Sequence, residues 1–177
     1  MNSKSLSPRF LVITGMILGA AALRLIPHYP NFTPIAAMAL FGGAYFTKKK
    51  TAFVVPFAAM LLSDLVLGFH ATIWAVYLSF ALIVMIGFML KEKVKISNVF
   101  LAAVSSAVLF FAVTNFAFWA TGLMYPLTFS GLIESYVAAI PFFNYSLLGN
   151  LVYTGALFGL FELAQMKFPV LAKTGTV

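Results

Sequence analysis

The sequence predicts an all-α integral membrane protein, a six-helix bundle arranged N-in/C-in. Three observations carry that prediction. Charged residues make up 8% of the 177 while hydrophobic ones make up 63%; a soluble domain carries about 25% charged residues, so this chain could not clothe a surface in water. The apolar residues form continuous runs, not the alternating segments of a membrane barrel, which leaves helices as the way to satisfy the backbone in hydrocarbon. The lysines, finally, cluster at alternate connections between those runs. At about 20 residues per span, six spans fill one domain over residues 1–177. The same composition excludes a disordered chain, a coiled coil and a disulfide-stapled secreted domain.

Taken in order, span one covers residues 10–26, after Lys4 and Arg9. Gly15 and Gly19 form a small-xxx-small pair that lets another helix approach. The basic start, apolar stretch and Ala20–Ala22 also have the form of a secretory signal; the expectation is span one. Span two, residues 34–46, is too short to cross about 30 Å of hydrocarbon. Pro27, Pro30 and Pro34 forbid a regular helix before it, so this loop is expected to dip toward the membrane, a pointer to a binding site. Span three covers 51–69, span four 72–90, span five 97–122 and span six 145–166. Between the last two, Ser130 is expected to cap a short helix through Ala139 that Pro141 ends. Leu132, Ile133, Val137 and Ile140 would lay it at the interface as a lid.

Orientation follows from charge. With six spans, Lys4 and Arg9, Lys48–Lys50, Lys91 with Lys93 and Lys95, and Lys167 with Lys173 all fall on one side. The positive-inside rule makes that side cytoplasmic. Arg24 alone falls on the other. No basic stripe interleaved with aromatics exists, which excludes a nucleic-acid partner despite the net charge of +7.

Polar side chains within spans are costly and so are functional candidates. Here they gather in the outer half. Arg24 ends span one, Asp64 lies near the outer end of span three, Asn115 and Trp119 share a face of span five, and Asn150 lies in the outer half of span six. His28, Asn31 and His70 occupy outer loops. An outward-facing cavity is the economical explanation, with these eight residues as substrate contacts. Arg24 and Asp64 would set charge complementarity, the amides would orient the ligand, Trp119 would stack, and His70 would donate or coordinate. Arg24–Asp64 is open both as a strut and as a ligand contact. Glu162, near the cytoplasmic end, is expected to turn toward Lys167 or an inner-loop lysine. No cysteine, zinc-binding histidine spacing or phosphate-binding glycine loop is present, so neither catalysis nor a nucleotide motor is expected.

The stretch from Arg24 to Ala44, with Ser63-Asp-Leu-Val-Leu-Gly-Phe-His70, Tyr136-Val-Ala-Ala-Ile-Pro-Phe-Phe143 and Leu148-Gly-Asn-Leu-Val-Tyr-Thr154, resembles a family of small bacterial membrane proteins catalogued as transport proteins by inference alone. More loosely, the chain resembles the substrate-binding S-components of energy-coupling-factor vitamin transporters, including solitary cobalamin transporters. That likeness implies six helices, an outer vitamin pocket closed by loops, and a first helix that meets an energy-coupling membrane subunit, here through Gly15, Gly19 and Ala22. The cobalamin transporters place a cobalt-coordinating cysteine in the loop that His70 occupies here, so the resemblance implies His70 as a ligand to the cobalt of a bound corrinoid. The expectation is uptake of a vitamin-class micronutrient at the bacterial inner membrane, with no cofactor required and a corrinoid as the specific candidate. The alternatives are a membrane scaffold subunit and, third, an intramembrane enzyme.

Overall fold

A computed structural model describes residues 7–172. Lys4 and Lys173, two of the charges behind the orientation, lie outside the described residues. The fold is all-helical, with six α-helices and no strand among those residues: α1 (Pro8–Leu23), α2 (Ile35–Tyr45), α3 (Lys49–Leu67), α4 (Ile73–Leu90), α5 (Ile96–Ala120) and α6 (Phe129–Lys167), followed by a 3₁₀ turn at Pro169–Leu171. Four of them, α3 to α6, are long and apolar enough to cross a membrane; α1 and α2 are shorter apolar helices.

The short second segment is the core of the fold, and it runs from the Ile35 end beside His70 to the Tyr45 end beside Arg9. All 11 residues of α2, Ile35 to Tyr45, are buried, and at about 1.5 Å per residue the helix is roughly 16 Å long. A helix apolar on every face is a core element, and the other five helices surround this one. Its sequence allows that enclosure because small residues stand where backbones meet. A Cβ on Gly43 would lie 2.3 Å from the Val84 carbonyl oxygen of α4, and a Cβ on Gly87 would lie 2.5 Å from that of Leu40. Gly42 sits against the Pro56 ring of α3 in the same way. Beside these glycines Phe41 packs edge-on against Phe158 and Phe161 of α6, with ring centroids 5.5 and 5.6 Å apart.

The expected short lid helix does not form as a separate element. Thr128, not Ser130, caps α6 by accepting from Gly131 N at 3.2 Å, and the helix runs unbroken for 39 residues through Pro141. Proline removes its own N–H bond to the carbonyl four residues back, but a long apolar helix packed on a neighbour tolerates that loss. The neighbour is α5. Tyr136 donates to the Ala112 carbonyl at 2.6 Å, and Phe111 packs on Phe143 at 4.8 Å between centroids. At roughly 58 Å, α6 outlasts the hydrocarbon core of about 30 Å.

α1 belongs to the core through Ile13, Ile17, Ala20 and Ala21. Ser7 caps it, accepting from Phe10 N at 3.2 Å, with Pro8 at its first turn. The opposite face carries Gly15, Gly19 and Ala22, all exposed. A Cβ on Gly15 or Gly19 would meet nothing within 4 Å.

Candidate functional site

The two ends of the molecule differ in kind. At the end away from the lysine clusters lies a cavity of about 270 Å³. Five segments converge on it: Asn31 and Thr33 from the loop before α2, Ile35 and Ala36 from α2 itself, His70 and Thr72 from the α3–α4 connection, Ala107, Phe110 and Thr114 from α5, and Ser146 and Asn150 from α6. Val76 of α4 completes the wall. A second chamber of about 180 Å³ shares Asn31, Phe110, Thr114 and Ser146 with it and adds Asn115.

Local sequence explains the entrance. Gly68 leaves α3 with φ +91°, a conformation that L side chains rarely adopt, and so turns the chain into the loop that carries His70. Asn31 is the one non-glycine with positive φ (64°) among the described residues, a conformation asparagine tolerates better than most. The loop it belongs to lies on α6. Tyr29 stacks on Tyr145 at 5.8 Å, Phe32 packs on Tyr153 at 5.5 Å, and the backbone of Phe32 passes directly over Gly149, where a Cβ would approach Phe32 Cα to 3.0 Å.

No lining residue of either chamber is charged. The polar groups are amides, hydroxyls and one imidazole, some already engaged. Asn150 donates to the Ala103 carbonyl at 2.7 Å and accepts from Thr154 at 3.3 Å. Thr114 donates to Phe110 O at 2.7 Å and Asn115 to Phe111 O at 2.8 Å, each within its own helix. His70 Nδ1 lies 3.2 Å from the Thr72 hydroxyl. Lone pairs on these hydroxyls and the second imidazole nitrogen are what the cavity can offer to a ligand.

Of the eight residues singled out from sequence, Asn31, His70 and Asn150 meet in the main cavity and Asn115 in the side chamber. The other four are elsewhere. Arg24 and Asp64 close on each other at 2.7 Å with both side chains buried. Tyr77 of α4 donates to the second Asp64 oxygen at 2.9 Å, while Arg24 also donates to Ser63 and meets Met60 Sδ at 3.2 Å. Every strong acceptor of that carboxylate faces protein, so the pair joins α1, α3 and α4 and touches neither chamber. His28 is exposed and donates to its neighbour's carbonyl, Ile26 O, at 2.6 Å. Trp119 donates to Pro126 O at 3.0 Å and holds the α5–α6 turn; it does not reach the cavity to stack on a ligand. Thr33, Thr72, Thr114 and Ser146 were not among the expected contacts. Ser146 stands four residues before Asn150, on one helix face, which is the signal that finds it. Among the described residues no group of three or more histidine, aspartate or glutamate side chains could hold a metal ion.

At the lysine-rich end Arg9 draws α1, α2 and α6 together. It donates to Gln165 Oε1 at 2.6 Å and to the Leu171 carbonyl at 2.5 Å, and its guanidinium lies over the Tyr45 and Phe161 rings at 5.8 and 5.2 Å. Glu162 accepts from the Tyr45 hydroxyl. In place of the expected turn toward a lysine, the carboxylate meets Tyr45, which the end of the central helix sets against α6. No curated protein and no solved structure matches the chain. One family model does, over residues 4–171, and the chain therefore belongs to that family of unknown function (DUF6580).

Proposed function

We propose that this is a multi-pass, substrate-binding transport protein of the bacterial inner membrane that takes up a small, uncharged, polar micronutrient. The observation that carries the reading is the charge-free cavity of about 270 Å³, lined by hydroxyls, amides and an imidazole from four segments. An ion placed there would lose its hydration without a counter-charge, a cost of several kcal/mol. A neutral ring compound with a few hydrogen-bonding groups loses far less. The cavity and side chamber together suit a vitamin of one or two rings, toward the small end of ligand pockets at about 300–1,000 Å³. A corrinoid is much larger, and His70 would meet its cobalt only if the two loops opened widely. On this reading the lysine-rich end is cytoplasmic, both termini are inside, and the exposed Gly15, Gly19 and Ala22 face of α1 is where an energy-coupling subunit would dock. No cofactor is required.

The scaffold reading keeps one specific support, the Arg24–Asp64 pair sealed within protein. A filled outer end would accompany it, and the cavity runs against that. Purified protein titrated with a panel of neutral and charged vitamins, read by thermal midpoint, tests the proposal. One neutral member should raise the midpoint by an amount that grows with its concentration. His70→Ala and Thr114→Val should each weaken that ligand by about 5–30-fold, about 1–2 kcal/mol per contact. A midpoint unmoved by every compound, or moved only by charged ones, overturns it.

A further inference from the structure

The lysine-rich end holds two cavities that meet. One is an apolar groove of about 480 Å³ between the start of α5 and the last turns of α6. Its walls include Val99, Phe100 and Phe158, and its floor is made low by Gly155 and Gly159, above which a Cβ would find nothing within 4 Å. From Leu151 to Met166 the groove follows α6 for about 22 Å. The hydrocarbon of one leaflet is about 15 Å deep, half the bilayer core. The other cavity, about 420 Å³, is charged, with Arg9, Lys91, Glu92 and Glu162 in its wall. Val94 and Glu162 line both, and Lys95 stands at the groove's mouth.

We infer that this composite site binds one phospholipid whose head carries a phosphate and a primary ammonium, with an acyl chain in the groove and the head in the charged pocket. Three features select that chemistry. An apolar channel that opens into a charged pocket matches an amphiphile; a transmembrane helix laid in the groove would turn apolar side chains toward those charges. The pocket wall is mixed in sign, with cations for a phosphate and the Glu92 and Glu162 carboxylates for an ammonium. The Arg9 Nε is, moreover, a buried donor with no hydrogen-bond partner among the described residues, a costly state that a phosphate oxygen relieves once the guanidinium turns toward the pocket it lines. The site stands apart from the cavity at the opposite end and does not depend on the transport reading.

Native mass spectrometry and thermal midpoints of the delipidated full chain in detergent test the inference. The probes are dioleoyl-phosphatidylethanolamine, its phosphatidylglycerol and phosphatidylcholine counterparts, and soluble phosphoethanolamine. The ethanolamine lipid should form a one-to-one adduct and raise the midpoint. The other two lipids should bind about tenfold more weakly, the factor that one charge-assisted hydrogen bond carries. Gly159→Leu places a Cβ that meets nothing within 4 Å and sends the rest of its side chain into the groove, so it should hold its lipid-free midpoint and lose the adduct. Lys95→Gln should weaken the adduct and keep the fold. Equal retention of all three lipids, an adduct insensitive to Gly159→Leu, a shift from soluble phosphoethanolamine alone, or no adduct at all would each overturn the assignment.

Discussion

Two charges facing each other across a hydrophobic interior have only one economical arrangement, and Arg24 and Asp64 take it at 2.7 Å. Removing one partner from a buried pair leaves the other uncompensated. Asp64→Ala should therefore cost about 3–5 kcal/mol, read as a fall in thermal midpoint or in resistance to denaturing detergent. Tyr77→Phe removes a single hydrogen bond to the same carboxylate and should cost about 1–2 kcal/mol. Because neither residue touches the cavity, whatever Tyr77→Phe protein survives should bind ligand with unchanged affinity. The pair was legible in sequence because Arg24 is the sole basic residue at its depth and Asp64 the acid opposite it. What escaped was the hydroxyl lining, since serine and threonine bond their own helix as readily as a ligand and leave no trace in composition. Asn115 shows the limit of a face argument from one residue. Its neighbour Thr114 turns toward the main cavity, and one step of about 100° carries Asn115 into the side chamber.

For whole elements, length decided more than hydrophobicity. The six apolar segments were all visible as runs, yet one of them, 11 residues buried on every side, is the core of the molecule and has no face left for lipid. Continuous hydrophobicity looks alike facing lipid and facing protein, so only the shortness of the run and its glycines hinted at the difference. Those glycines give the test. Gly43→Ala and Gly87→Ala force a methyl against facing backbone, which cannot yield as a side-chain tip would, and each should cost about 1–3 kcal/mol of stability or more. Gly155→Ala, with open space above it, should be neutral or stabilising by up to about 1 kcal/mol. The reverse ordering of midpoints would contradict the packing described. Pro141 misled in the opposite direction. Proline ends helices in water because the lost bond has cheaper alternatives there; in an apolar setting the rest of the helix has none, and α6 passes through it.

At the scale of the whole molecule, the two ends are built for different work. One carries neutral hydrogen-bonding groups around a cavity, and the other carries Arg9, Glu162 and the lysine clusters. If the lysine-rich end faces the cytoplasm, single cysteines placed in this cysteine-free chain will label from opposite sides. His28→Cys should react with a membrane-impermeant maleimide added outside intact cells, and Lys93→Cys only after the membrane is opened. Labelling of both from one side would refute the orientation.

The central claim, a neutral small molecule held in the cavity between α2, α5 and α6, is tested most directly by filling that cavity. Ala107→Leu projects a larger apolar side chain into the space that Asn31, His70 and Asn150 surround. Equilibrium binding of the vitamin that shifts the wild-type midpoint should fall by at least about tenfold in this variant, while its ligand-free midpoint stays within a few degrees of wild type. Binding that survives the substitution undiminished would show that the ligand sits elsewhere.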